Sequence, residues 1–173
     1  MSLPQDTSGG LGGGEYFKPQ KGANKILLVG EVVTGYEYWT TDNKSVRSTV
    51  QFEETPGIRT AKKKEKDGTE IEVDDKQKFF WAVPVYDYAD KGIKIYQISQ
   101  KGVRDALVAL QANEDWGDPV GRYSITINKE GDGLTTKYSV TPNPIKEGDK
   151  VVAEALNKYK ANPVDIKSAL MLN

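Results

Sequence analysis

The chain has 173 residues, enough for one domain with a core and too few for two independent ones, and 37% hydrophobic with 28% charged residues is compatible with folding. Cysteine and histidine are both absent, which excludes disulfides, thiolate and imidazole catalysis, and the usual Cys/His zinc sites. With a net charge of −1, any polyanionic partner has to be held by local clusters of lysine and arginine rather than by a basic domain as a whole.

The stretch Ser8 to Gly14 reads Ser-Gly-Gly-Leu-Gly-Gly-Gly and predicts a flexible tail over 1–14, because glycine loses the most backbone entropy on ordering. Met1 to Gly14 has no signal-peptide core, and no run approaches the ~20 apolar residues of a membrane span. The expectation is a protein that is not secreted, resides in the cytoplasm and has no membrane partner.

Ile26 to Val33, with Gly30 at its centre, predicts a buried, curved first strand that Tyr36, Tyr38, Trp39 and Thr40 extend. A turn at Thr41 to Lys44 leads into an alternating strand from Ser45 to Phe52. The polar stretch between Pro56 and Val73 carries Arg59, Lys62, Lys63, Lys64 and Lys66. Its Asp67-Gly68 pair favours a type I′ turn, so it predicts a protruding basic hairpin.

Phe79 to Tyr86 is the strongest strand pattern in the chain, and Ile93 to Ile98 should pair with it antiparallel. Ser99 stands at an N-cap position before Val103, Ala106, Leu107 and Leu110, whose spacing predicts a helix that Asn113 closes. A hairpin follows, with Tyr123, Ile125 and Ile127 on one strand, a Gly131-Asp132-Gly133 turn, and Leu134, Thr136, Tyr138 and Val140 on the other. Asp149 can cap a second helix carrying Val151, Val152, Ala155, Leu156 and Tyr159 on one face, and Asn162-Pro163 opens a short third one through Leu170.

Antiparallel strands, one helix and a closing hairpin are the plan of a mainly β (β+α), five-stranded OB-type Greek-key barrel with an inserted helix. The domain would cover 15–145, with the basic hairpin protruding and a C-terminal helical extension over 146–173. A split β-sandwich with an added helix also fits this order.

The functional signal is the run from Phe79 to Tyr88. Strand parity puts Phe79, Trp81, Val83 and Val85 on one face and Phe80, Ala82, Pro84 and Tyr86 on the other. Either one face fills the barrel while the other stacks bases, or both are covered, one by the core and one by the C-terminal helices. Aromatic platforms interleaved with cations are the recipe for binding single-stranded nucleic acid. Tyr36, Tyr38 and Trp39 on the adjacent strand, Lys76 and Lys78 beside the run and the Lys62–Lys64 cluster supply that company.

Asp87 with Asp90, or Glu114 with Asp115 and Asp118, could in principle hold magnesium for a nuclease, but both groups fall where aspartate caps turns. No nucleophile elbow, Walker lysine or calcium-loop spacing is present. Neither an enzyme nor a cofactor or metal is expected.

The opening Gly12-Gly13-Gly14-Glu15-Tyr16-Phe17-Lys18-Pro19, then Gly22 and Asn24-Lys25-Ile26, resembles the start of bacteriophage single-stranded DNA-binding proteins. The Phe80-to-Tyr86 strand, Ser99-Gln100-Lys101-Gly102-Val103, Trp116-Gly117-Asp118-Pro119 and Tyr138-Ser139-Val140-Thr141-Pro142 look like the same family, so the resemblance runs from Gly12 to about Pro144. It implies an OB fold that coats single-stranded DNA in phage replication, recombination and repair, in the cytoplasm of the bacterial host, akin to the helix-destabilising proteins of T-even phages. Unlike those, this chain has no Cys/His zinc site and no acidic tail at its end, which puts recruitment of phage replication proteins through a tail in doubt and leaves self-association through the C-terminal helices open.

The expected DNA-binding set is Trp39, Phe80, Trp81 and Tyr86, with Tyr38 and Tyr88, for bases, and Lys18, Arg59, Lys62, Lys63, Lys64 and Lys78 for phosphates. The alternative is a phage structural or assembly protein that uses the same barrel and C-terminal helices for protein contacts.

Overall fold

A computed structural model describes residues 15–172, so the tail expected at 1–14 lies outside the described residues. The strands are β1 Gly22–Leu28, β2 Val33–Trp39, β3 Ser45–Ser48, β4 Thr60–Lys64, β5 Glu70–Asp74, β6 Lys78–Asp87, β7 Gly92–Ile98, β8 Ile125–Glu130 and β9 Lys137–Pro142. The helices are α1 Lys101–Ala112, α2 Val151–Ala161 and α3 Ile166–Ala169. The protein is mainly β with a few helices, and its main sheet is antiparallel and open.

That sheet has seven strands rather than five, in the order β9-β8-β1-β6-β2-β3, with β7 on the opposite edge of β6. The ten residues of β6 organise it. Leu28 to Ile26 pair with Val85 to Asp87, Val33 to Glu37 pair with Ala82 to Lys78, and β7 takes the other edge from Trp81 to Asp87. β1 and β2 thus lie end to end along one edge of β6. The curved first strand predicted from Ile26 to Val33 is interrupted around Gly30, where only glycine fits, since a side chain there would stand 2.6 Å from Pro84 Cγ and 2.9 Å from the Tyr159 hydroxyl.

Both faces of β6 are covered. Val83 and Val85 join Ile26, Leu28, Tyr96, Ile98, Ile125 and Ile127 beneath Val103 and Leu107 of α1, the largest cluster of the core. On the reverse face Phe80, Ala82 and Ile95 pack against Val164, Ile166 and Leu170 around α3, while Leu27, Val29 and Tyr86 pack against Ala155 of α2. Two apolar faces on one strand are therefore explained by two layers of helix, and fully burying each such side chain contributes roughly 1.5–3 kcal/mol.

Several local expectations change in the structure. The β3 strand ends at Ser48, whose hydroxyl accepts from the Val50 amide and turns the chain well before Phe52. Helix α1 begins after Gln100 rather than Ser99, with no side-chain cap. Leu134 leaves the strand for a 3₁₀ turn at Gly133–Thr135 and is fully exposed. Asp149 accepts from the Val151 amide at 2.9 Å but lies one residue before the cap position of α2, Lys150, which has no side-chain cap. Helix α3 starts at Asp165, whose carboxylate accepts from the Ser168 amide at 3.2 Å, rather than at Asn162-Pro163.

The β4–β5 hairpin forms a separate two-stranded sheet. Its turn is a three-residue loop, with Glu65 donating its amide to Thr69 O at 2.7 Å and Gly68 at φ +90°, which is a type I turn closed by a left-handed glycine rather than type I′. Nor is it a net cation: from Thr60 to Asp74, Lys62, Lys63, Lys64 and Lys66 are outnumbered by Glu65, Asp67, Glu70, Glu72 and Asp74, and Lys62 faces Glu72 while Lys64 faces Glu70. Among the described residues, no helix is long and apolar enough to cross a membrane.

Candidate nucleic-acid interface

The end of β2 brings one aromatic and one cation together. The chain leaves Trp39 through the Thr40–Lys44 turn and returns as a bridge between Thr40 and Ile58, with the Arg59 amide donating to Trp39 O at 2.9 Å. This bond places the Arg59 guanidinium 5.7 Å from the centre of the half-buried Trp39 ring. Arg59 Nε donates to Asp75 Oδ2 at 3.1 Å, and among the described residues no hydrogen bond uses its two terminal amino groups. A ring with a cation over it and free donors beside it can hold a base and its phosphate together.

Lys62, Lys63 and Lys64 extend from that point on β4, all exposed and without an ion pair among the described residues. Lys63 faces Ile71, so it is the one of the three with no carboxylate directly across the hairpin. Lys78, exposed at the start of β6, lies opposite Glu37, whose carboxylate is already engaged by Ser45 and Gln97 and lies 2.9 Å from Arg47 Nε. The Arg47 contact is off the N–H direction and acts as an ion pair rather than an aligned hydrogen bond. Asp75 is held below the usual carboxylate range: burial opposes this, but bonds to the Lys76 amide and Arg59 and the charge of Lys78 outweigh it. Trp39, Arg59 and Lys78 thus gather around the foot of the β4–β5 hairpin, and Lys62–Lys64 run from there along β4 towards its turn.

Three of the predicted aromatics face inward instead. Phe80 is 0% exposed, its ring lying across Gly35 of β2, where an added side chain would stand 2.7 Å from the ring. Tyr86 is 9% exposed under α2, and Tyr38 is buried with its hydroxyl donating to Pro56 O and its ring edge-on to Phe52 at 4.9 Å. None of the three offers a face to a ligand. Sequence parity separated the two faces of β6 and left open whether the second stacks bases or lies under the C-terminal helices; at Phe80 and Tyr86 it lies under the helices.

Trp81 is half-buried in a cleft of about 440 Å³ between the β1–β2 bend and α1, with Glu31 and Asp118 at its edge and no lysine or arginine among its lining residues. Its neighbour Phe79 meets Tyr36 at a tilt of 55° with ring centres 5.3 Å apart and lies under the Arg104 guanidinium at 5.1 Å. Arg104 donates to the carbonyls of Phe79, Ile98 and Ser99, so it fastens α1 to the sheet.

No protein-family model, curated protein or solved structure matches this chain.

The last two predicted residues, Lys18 and Tyr88, lie in a groove of about 670 Å³ at the far end of β6, with Tyr16, Lys25 and Lys94. Lys25 Nζ stands 4.6 Å over the Tyr88 ring. Tyr16 and Lys25 are not in the expected DNA-binding set, since the signal that brings them together is the pairing of Tyr16 with Ile95 and of Ile26 with Asp87 across the fold. In the same groove Lys94 lies 2.9 Å from Asp87 and 2.5 Å from Asp90, while Asp87 and Asp90 also accept from the Ala89 and Gly92 amides. These carboxylates serve a turn and an ion pair, and among the described residues no three Asp, Glu, His or Cys side chains converge to hold a metal.

Proposed function

We propose that this protein binds single-stranded DNA with little sequence preference, through base stacking on Trp39 and phosphate contacts from Arg59, Lys62–Lys64 and Lys78, as a non-enzymatic coat during phage replication, recombination and repair. The observation that carries the reading is the Trp39–Arg59 pair, a half-buried ring with a guanidinium over it and unused donors at the foot of a hairpin bearing unpaired lysines.

The strand order supports an OB plan beneath this surface. If β1 and β2 count as one bent strand, the sequence β9-β8-(β1/β2)-β6-β7, with α1 between β7 and β8, follows the order of a five-stranded OB barrel. On that plan β3 and the β4–β5 hairpin are an insertion between the first two strands. OB folds bind oligonucleotides on the face of the second and third strands and on the loops beside it. Here α3 covers that face at Phe80, Ala82 and Ile95, which shifts the reading onto the inserted hairpin and its base. Trp81 drops out, because the acidic edge of its cleft repels a phosphate backbone.

Fluorescence anisotropy with a labelled oligothymidine tests the proposal across a salt series. Binding should weaken steeply with salt, with the logarithmic slope falling by about 0.7 for each cation removed by Arg59→Ala or Lys63→Ala. Absence of salt-sensitive binding would overturn it and favour a protein-contact role for the same surfaces.

A further inference from the structure

The groove at the opposite end of β6 has the same two ingredients as the hairpin end. Tyr16 is exposed, Tyr88 is half-buried beneath the Lys25 ammonium, and Lys18 lines the same cavity. Backbone pairing holds these side chains in place. The Phe17 amide donates to Ile95 O at 2.9 Å and the Ile95 amide to Glu15 O at 3.0 Å, fixing Tyr16 along the edge of β7, while the Tyr88 amide donates to Lys25 O at 3.2 Å. Lys94 is shared between Asp87 and Asp90, so that group keeps one negative charge, and Lys18 and Lys25, neither of them in an ion pair among the described residues, give the groove its net positive charge.

A cavity of about 670 Å³ is within the range that accepts a small organic ligand. Two phenol rings with two free ammonium groups favour a planar π system attached to an anion. This combination is what one nucleotide of a single strand presents, and it matches no purely apolar or cationic partner.

We infer that the Tyr16–Lys18–Lys25–Tyr88 groove is a second contact site for the same DNA strand, separate from the hairpin site. This inference rests on the proposed function. The ten residues of β6 separate the two sites by roughly 30 Å, and α2 and α3 pack on the sheet between them. A short oligonucleotide therefore engages one site at a time, and only a longer one reaches both. The gain on reaching both is an avidity term that needs no additional contact.

The experiment compares the wild-type chain with a Tyr16→Ala/Lys25→Ala variant by anisotropy, using oligothymidines from about 4 to 16 nucleotides. Wild-type affinity should rise by about a hundredfold once the oligonucleotide spans both sites. In the variant that rise should disappear while binding of the shortest oligonucleotide changes little. If losing the Tyr16 ring disturbs the fold, Lys18→Ala/Lys25→Ala, which alters only exposed chains, should lower the salt slope for long oligonucleotides alone. Identical length dependence in wild type and variants would overturn the second site and leave the hairpin site standing. Failure of the wild type to bind at any length would remove both.

Discussion

At the scale of single residues, three neighbouring aromatics have three separate fates. Trp39→Ala removes a stacking platform and should weaken oligothymidine binding by about tenfold or more, since a stacked base contributes roughly 1–3 kcal/mol. Trp81→Ala should leave that affinity nearly unchanged. Phe80→Ala instead empties a site that is 0% exposed and should cost about 3–5 kcal/mol of stability in a denaturant titration. Equal affinity of the Trp39 and Trp81 variants would contradict the assignment.

The Lys94 cluster makes a pH prediction of its own. Asp90 is held below its ordinary 3.8 chiefly by its bond to Lys94, with burial opposing, so its contribution is complete above that value and is lost as pH falls through the lower folded pKa. Burial pushes Lys94 down, but the bonds to Asp90 and Asp87 outweigh it and raise it above 10.5; its contribution is complete below that value and is lost at higher pH. The gap in stability between wild type and Lys94→Met should be widest between these limits and shrink towards acid and strong alkali. Thermal melts across pH measure it directly.

At the scale of elements, the β6 pattern was legible because its parity is a local property, and so was the apolar face of α2. That both faces of β6 are covered, one by the core and one by the C-terminal helices, was one of two readings the sequence left open. The choice between them was not legible, because Val164, Ile166 and Leu170 reach Phe80 and Ile95 from the far end of the chain. The hairpin differs in that its acids are local: Glu65, Asp67, Glu70 and Glu72 lie within Pro56 to Val73, and counting them beside Arg59 to Lys66 removes most of the basic character that the lysine run alone suggests. Gly30 marks the meeting of three elements: the β1–β2 bend, Pro84 of β6 and Tyr159 of α2. Gly30→Val should overpack this junction and cost about 1–3 kcal/mol, with the loss visible as a lower denaturation midpoint.

At the scale of the whole molecule, the three buried clusters all draw on β6 or on its immediate partners β1 and β7, so the sheet and its helices share one central strand. The β4–β5 hairpin contributes to none of them and is bonded in a sheet of its own. An isolated two-stranded hairpin is at best marginally stable in water, so this one should open without the rest following. Limited proteolysis should cut first between Lys62 and Lys66, while a fragment carrying β6 persists, and the nicked protein should keep its melting transition while losing DNA affinity. Cleavage and global unfolding at the same rate would show that the hairpin is part of the cooperative unit. Because the β4–β5 hairpin lies outside all three buried clusters, its exposed lysines should be exchangeable or removable at little cost to folding, so that the residues proposed to meet the partner are free to change while β6 and its neighbours stay held by packing.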